Sequence, residues 1–238
     1  MLSLIIPCRN EANNLEFLLP RIQNILEAVW DEEYEILVLN HGSTDDTPKL
    51  LKTLKESIPQ LKEIWMDPIT LKLGQILQQG IQQAQGESII TMDGDLSHLP
   101  EQLDQFVEKF QDDHDLVIGG RFGPEQGKFG SKSRYLISKV VNTLARFLLR
   151  RKLKDYTTGY RGFRKTLIES VKFNSIGFEF HLELNGLLSL AATKIAEIEI
   201  DYINRTRGKT KLIYRKEGFG YLKAIYWVWR EKIRQHRE

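Results

Sequence analysis

Hydrophobic and polar positions follow two alternating periods along the first half of this chain. Short apolar runs at Leu2–Pro7, Tyr34–Leu39, Leu61–Met66, Glu87–Met92 and Asp115–Ile118 predict strands. Between them, Ala12–Val29, Thr47–Ser57, Leu71–Gln85 and Pro100–Gln111 carry apolar residues at helical spacing. Asp45 or Asp46 ahead of Thr47-Pro48 fits an N-cap followed by a proline in the first turn. Strand and helix in alternation predict βαβ units, hence an α/β fold with a mostly parallel central sheet and flanking helices.

The second half is patterned differently. Tyr135–Leu153 predicts a helix with Leu136, Ile137, Val140, Val141, Leu144, Phe147 and Leu148 at spacings of one, three and four. Its other face carries Lys139, Arg146, Arg150 and Arg151. A C-terminal helix over Phe219–Ile233 mixes Tyr221, Tyr226, Trp227 and Trp229 with Lys223, Arg230 and Lys232. Both patterns suit a membrane interface, and both suit docking onto the domain with a wet basic face. The expected organisation is one domain over residues 1–215 and an amphipathic, aromatic helix over 216–238.

Composition narrows the class. At 238 residues with 41% hydrophobic and 28% charged residues, the chain reads as a soluble globular protein with room for a sizeable core. A single cysteine, Cys8, permits no internal disulfide, and the start Met1-Leu2-Ser3-Leu4 runs straight into a predicted strand. No stretch approaches the roughly 18 apolar residues of a membrane span. These features suggest a cytoplasmic protein. Net charge is only +2, yet Lys128–Lys165 holds twelve basic residues against one acid, Asp155. Such asymmetry points to an anionic partner.

The candidate chemistry lies at the predicted strand ends, where parallel sheets collect their ligands. Four successive ends read Cys8-Arg9-Asn10-Glu11, Asn40-His41-Gly42-Ser43, Asp93-Gly94-Asp95 and Gly119-Gly120-Arg121. In an extended segment Asp93 and Asp95 would point the same way. Paired carboxylates suit a hard divalent cation, Mg²⁺ or Mn²⁺, that also binds phosphate oxygens. Nucleic-acid binding would explain the basic segment but leave these two aspartates without a task.

Five segments in order carry a resemblance. Ser3–Leu15 resembles the opening strand and P-x-x-N-E-x-x-N-L turn of family 2 glycosyltransferases. Met92–Glu101 resembles that family's M-D-A-D-L-Q-H-P-P-E, and Gly119-Gly120-Arg121-Phe122 its G-S-R-Y. Asp155–Arg164 is similar to D-x-x-S-G-F-R-x-F-R, and Arg205–Leu212 to R-x-R-G-E-S-K-L. The nearest type is the polyprenyl-phosphate sugar transferases, the dolichol-phosphate mannose synthase type.

The resemblance implies a GT-A, Rossmann-like fold and inverting transfer from a nucleotide-diphosphate sugar, GDP-mannose or a UDP-hexose, to a polyprenyl phosphate. It implies Mg²⁺ or Mn²⁺ held by Asp93 and Asp95, with Asp95 the direct ligand. Pro7, Arg9, Glu11, Val38, Asn40, Asp93 and Gly94 occupy nucleotide-sugar positions, and Arg205 and Lys211 would reach the diphosphate from a closing loop. A sugar-hydroxyl acceptor needs a general base, and the Q-x-x-R-W motif and late acid pair of such enzymes do not occur here. An acceptor phosphate needs cations instead, for which Arg121 and Arg134 are the candidates. The implied partners are the donor, the lipid acceptor, a membrane surface at its cytoplasmic face and a membrane-anchored subunit. Asn40-His41 stands where relatives carry acids, and Ser97 where they carry glutamine. A glycan acceptor or an inactive nucleotide-binding relative are the alternatives.

Overall fold

The structure, a computed structural model, describes residues 1–122, 132–169, 171–202 and 214–235, without the side chains of 132–134 and 214–217. Among these residues seven strands form one sheet: β1 (Leu2–Cys8), β2 (Tyr34–Asn40), β3 (Leu61–Trp65), β4 (Ser88–Thr91), β5 (Leu116–Gly120), β6 (Arg161–Arg164) and β7 (Ile195–Glu199). Their order is β3-β2-β1-β4-β6-β5-β7. β1, β2, β3 and β4 are mutually parallel, as are β5 and β7, while β6 runs antiparallel between β4 and β5. Strand order reverses at β1 and β4, which opens a crevice at their carboxyl ends.

The helices are α1 (Ala12–Val29), α2 (Thr47–Ser57), α3 (Leu73–Gln83), α4 (Leu103–Gln111), α5 (Lys132–Leu149), α6 (Phe180–Ala191) and α7 (Tyr214–Gln235). Alternation along the strands feeds two cores. Leu4, Ile6 and Val38 join Leu15, Leu18 and Ile22 of α1 on one face. Ile5, Leu37 and Leu39 meet Ile76 and Leu77 of α3, and the α6 residues, on the other. Strands buried on both faces need apolar side chains at every position, which is why these runs read so clearly.

Strands β1 to β5 and helices α1 to α5 fall where the hydrophobic pattern predicts them. β6, α6 and β7 have no counterpart there. β6 is four residues, Arg-Gly-Phe-Arg, with too little apolar character to register. α6 is buried all round from Phe180 to Leu190, its polar His181, Glu183, Asn185 and Ser189 included, so it has no exposed polar stripe for periodicity to find. α7 packs on α5 and α6 through Ala224, Ile225 and Val228, all buried in the main core. A Cβ on Gly186 would stand 2.8 Å from Val228 Cγ1, so the α6–α7 approach requires glycine.

Gly162 shows how tightly β6 is seated. A Cβ there would lie 2.8 Å from Phe110 Cζ and 3.1 Å from Phe106 Cδ1, both buried rings. Gly162→Ala is expected to cost about 1–3 kcal/mol by overpacking. Urea unfolding should show a lower midpoint at unchanged slope; an unchanged midpoint would mean the rings yield freely.

Candidate active site

Two loops are knitted together at the crevice. After β1, Asn10 adopts the left-handed conformation (φ 58°), and its side-chain Oδ1 accepts the Thr44 N–H at 2.7 Å. Its own N–H donates to Ser43 Oγ, Glu11 N–H to Thr47 Oγ1, and Ala12 N–H to Asp45 Oδ2. Gly42, also left-handed (φ 57°), lies under Pro68, where a Cβ would come within 2.4 Å of the ring. Pro7, Arg9 and Glu11 are partly exposed on this rim.

Val38 and Asn40 sit differently from expectation. Both are fully buried. Val38 faces the core from mid-strand, and Asn40 uses both ends of its amide: Oδ1 accepts the Ser43 N–H, and Nδ2 donates to Glu63 Oε1 at 2.6 Å. Neither side chain is offered to a ligand in this arrangement. Burial within β2 puts them behind the loop, which Asn40 holds in shape.

The carboxylate pair is set by a turn rather than by strand alternation. β4 ends at Thr91, and Asp95-Leu96-Ser97 doubles back with Leu96 left-handed (φ 61°). Asp95 Oδ1 accepts both the N–H and the hydroxyl of Ser97, at 3.0 and 2.5 Å. Ser97 therefore orients Asp95. Gly94 abuts β1, where a Cβ would meet Ile6 Cγ2 at 3.1 Å. Asp93 is one-third exposed and Asp95 almost wholly buried. The Asp93 N–H donates to His98 Nδ1 at 3.1 Å. Burial pushes His98 below the usual histidine range, consistent with a neutral ring accepting that bond. His98 stacks on Tyr160, which stacks on Phe106. The hydrogen-bond role of His98 had no signal in the sequence beyond its spacing from Asp93.

Two hard carboxylates, one reachable from solvent, fit a Mg²⁺ or Mn²⁺ ion whose other ligands are phosphate oxygens and water. Among the described residues no third acidic, histidine or cysteine ligand completes a closed metal cage. Gly159 leaves the room, since a Cβ there would stand 3.1 Å from Asp93 Oδ1.

Arg121, at the end of β5, is clamped. Its Nε donates to Asp155 Oδ2 at 2.7 Å and its Nη2 to Asp155 Oδ1 at 3.0 Å and Thr157 Oγ1 at 2.8 Å. The guanidinium also lies 5.6 Å from the centroid of the Tyr202 ring. Although burial opposes its charge, Arg121 holds the Asp155 carboxyl below the usual range. Glu197 of β7 accepts the N–H groups of Lys154 and Asp155, which fixes the turn from behind. Arg134 belongs to the first turn of α5, with its side chain outside the described residues. Arg205 and Lys211 lie outside the described residues altogether.

Arg161, paired in register with Thr91 and Ile118, lies wholly buried beside the carboxylate turn. Nη2 reaches Thr158 O and His181 Nδ1 of α6, while Nε and Nη1 have no partner among the described residues. Burial first, and then Arg161, hold His181 well below the usual histidine range. Below about pH 6.5, the ordinary histidine value, the unfolded chain takes up a proton that folded His181 refuses, so stability falls as pH drops. His181→Gln, neutral at every pH, is expected to flatten that loss by up to about 1.4 kcal/mol per pH unit. Urea titrations between pH 7 and 5 measure it; identical slopes would mean His181 charges freely in the fold.

Comparison with known proteins follows the same lines. The family model described as Glycosyl transferase family 2 matches residues 3–172. The chain is 33% identical over 233 residues to dolichol-phosphate mannosyltransferase of Pyrococcus furiosus, covering 94% of this chain and 62% of that protein. It is 29% identical over 215 residues to polyprenol monophosphomannose synthase of Mycolicibacterium smegmatis, covering 87% and 79%. It thus spans less than two thirds of the Pyrococcus relative. Glucosyl-3-phosphoglycerate synthase from Mycobacterium tuberculosis, solved with Mn²⁺, UDP and glucosyl-3-phosphoglycerate, superposes with a TM-score of 0.68 at 16% identity, covering 98% and 79%. S. aureus TarS 1-349 with UDP-GlcNAc gives 0.65 at 16%, covering 95% and 66%. At such identities the likeness is one of fold, the GT-A fold, and the family match gives the rest: the chain belongs to the family 2 glycosyltransferases.

Proposed function

We propose that this chain transfers a sugar, with inversion, from a nucleotide-diphosphate sugar to a polyprenyl phosphate at a membrane surface. The observation that carries the reading is the state of Asp155. It is the lone acid of the basic segment Lys128–Lys165, two residues before the Thr157-Thr158-Gly159-Tyr160 stretch that lacks the late acid of hydroxyl-directed enzymes, and it is engaged by Nε and Nη2 of Arg121. A carboxylate held below its usual pKa is a poor proton acceptor. A phosphate acceptor arrives already anionic and asks for a cation, which Arg121 and Arg134 supply. The names of the Pyrococcus and Mycolicibacterium relatives, a dolichol-phosphate mannosyltransferase and a polyprenol monophosphomannose synthase, support the same acceptor class.

In this reading the acceptor phosphate oxygen forms a bond to the sugar C1 as the bond from C1 to the diphosphate breaks. The nucleoside diphosphate leaves with its electron pair, and a β-linked lipid-phosphate sugar results from an α-linked donor. Asp93 and Asp95 would hold Mg²⁺ or Mn²⁺, which supplies charge stabilisation to the departing diphosphate. Ser97 keeps Asp95 oriented, and Arg205 and Lys211 add positive charge to the same group. Pro7, Arg9, Glu11 and Gly94 border the nucleotide, with Val38 and Asn40 shaping their loops from behind.

The membrane reading draws on α5 and α7. Their carboxyl ends lie together, with Lys232 Nζ donating to Leu148 O. Leu136, Val140 and Phe147 of α5 and Phe219, Leu222 and Tyr226 of α7 are exposed, beside Lys139, Arg146 and Lys223. Exposed apolar rings among lysine and arginine suit insertion to the headgroup level. No helix among the described residues is long and apolar enough to cross a membrane.

Radiolabelled GDP- and UDP-sugars with polyprenyl phosphate test the activity: label should enter an organic-extractable, acid-labile product. Asp95→Asn is expected to cut turnover by about 10²-fold or more, the scale of losing one preorganised electrostatic element. Near-normal turnover would remove Asp95 from the site. Replacing Phe147, Phe219 and Leu222 with Ser should release the protein from anionic vesicles, each buried side chain contributing about 1.5–3 kcal/mol. Undiminished sedimentation with vesicles would reject this face as the contact.

A further inference from the structure

The inner face of α5 bears a polar residue that the proposed chemistry does not use. Asn142 is 4% exposed, one turn from the buried Ala145 and two from Leu149. Its Oδ1 accepts the Tyr156 N–H at 2.6 Å. Its Nδ2 points to Asp155 Oδ1 at 3.3 Å and donates to Thr157 Oγ1 at 3.1 Å. A backbone N–H demands an acceptor and a carboxylate demands a donor, and a primary amide presents both from one planar group. Aspartate, of the same shape, would set two anions against each other. Threonine or serine could not span both partners.

The turn that Asn142 grips is the one that clamps Arg121. Asp155 Oδ1 takes Arg121 Nη2, the Thr157 N–H and the Thr157 hydroxyl as well as Asn142. Thr157 Oγ1 in turn contacts Arg121 Nη2 and Ser138 Oγ of α5. The guanidinium plane is thus defined by a turn that α5 holds in place. The same helix carries Arg134 two turns ahead of Asn142.

We infer that Asn142 is a positioning residue for the acceptor phosphate: it fastens α5 to the Asp155–Thr157 turn and so fixes Arg121, and the helix that bears Arg134, in one geometry. The inference rests on the proposed role of Arg121 and Arg134 toward that phosphate. Among the described residues the hydrogen bonds of Asn142 go to Ser138 and the Asp155–Thr157 turn, not to the Asp93–Asp95 turn or the β1 and β2 loops, so its loss should leave donor binding alone.

Steady-state kinetics with polyprenyl phosphate and nucleotide sugar varied separately test this. Asn142→Asp retains the shape and the acceptor for Tyr156 but removes the donor to Asp155. It is expected to raise KM for the acceptor about tenfold or more while KM for the donor stays within twofold. Thr157→Val should do the same, and the double variant should fall short of the product of the two, because both act through Asp155 and Arg121. Equal shifts in both KM values, or an unchanged acceptor KM in Asn142→Asp, would overturn the inference. Asn142→Ala is a third variant read the same way, with thermal melting to confirm folding. Arg121→Met distinguishes the two levels. If it leaves the acceptor KM unchanged, the acceptor role of Arg121 fails and takes this inference with it. If it raises that KM while Asn142→Asp does not, the positioning role alone falls.

Discussion

The ion pair of Arg121 and Asp155 is the interaction on which the far side of the site depends. Asp155 is fully buried and the Arg121 side chain only 13% exposed. Desolvating two charges is costly, and the pair is tolerated because its oxygens and nitrogens are satisfied by Thr157, Asn142 and the Arg121 backbone as well as by each other. Removing one partner from such a pair typically costs about 3–5 kcal/mol, since the other charge is stranded. Four elements meet there: the end of β5, the lead into β6, the inner face of α5 and Glu197 from β7. A Cβ on Gly120 would collide with the Glu197 carboxylate at 2.7 Å, so the close approach of β7 to β5 is part of the same construction.

The near side is built on different physics. Asp93 and Asp95 lie in a turn seated on β1 by Gly94 and braced by Ser97, His98 and a stack of Tyr160 and Phe106. Asp93 is one-third exposed and Asp95 almost wholly buried, and the buried guanidinium of Arg161 lies close enough to interact with Asp93. β6 makes this possible. Running antiparallel, it brings Arg161 at its amino end to the carboxyl end of β4, where a parallel strand would have delivered its last residue.

α5 and α7 join the two sides to the exterior. Each has buried residues in the main core and exposed apolar residues outward, so neither is a detached appendage or a plain core helix. Helices with one face in the protein core and another apolar face outward are unusual in water, because large exposed apolar patches mark contact sites. In α5 the inward polar residues Ser138 and Asn142 hold the Arg121 turn, and the outward residues suit lipid. In the proposed reading, position relative to the membrane and geometry at the acceptor would be carried by one helix.

Much of the chain could be read in advance from its spacing. Continuous apolar runs such as Leu2–Pro7 and Tyr34–Leu39 reveal doubly covered strands, and glycine- and acid-rich ends such as Asp93-Gly94-Asp95 mark where ligands gather, because both follow from local periodicity and residue chemistry. The resemblance motifs supply the family for the same reason: they are short and contiguous. What escaped was whatever depends on long-range pairing. β6 and α6 have no local pattern; they exist because β4, β5 and α7 surround them. Val38 and Asn40 lie at the end of β2 beside the candidate loops by order along the chain, yet the sheet turns both inward. Ser97 stood out along the chain only as the residue where relatives carry glutamine, and became the brace for Asp95 once the turn closed. Asn142, in the middle of an amphipathic helix, is one polar residue among many until Tyr156 and Asp155 fold beneath it. Periodicity is written along the backbone, whereas the partner of a buried hydrogen bond is fixed only when distant segments are packed together.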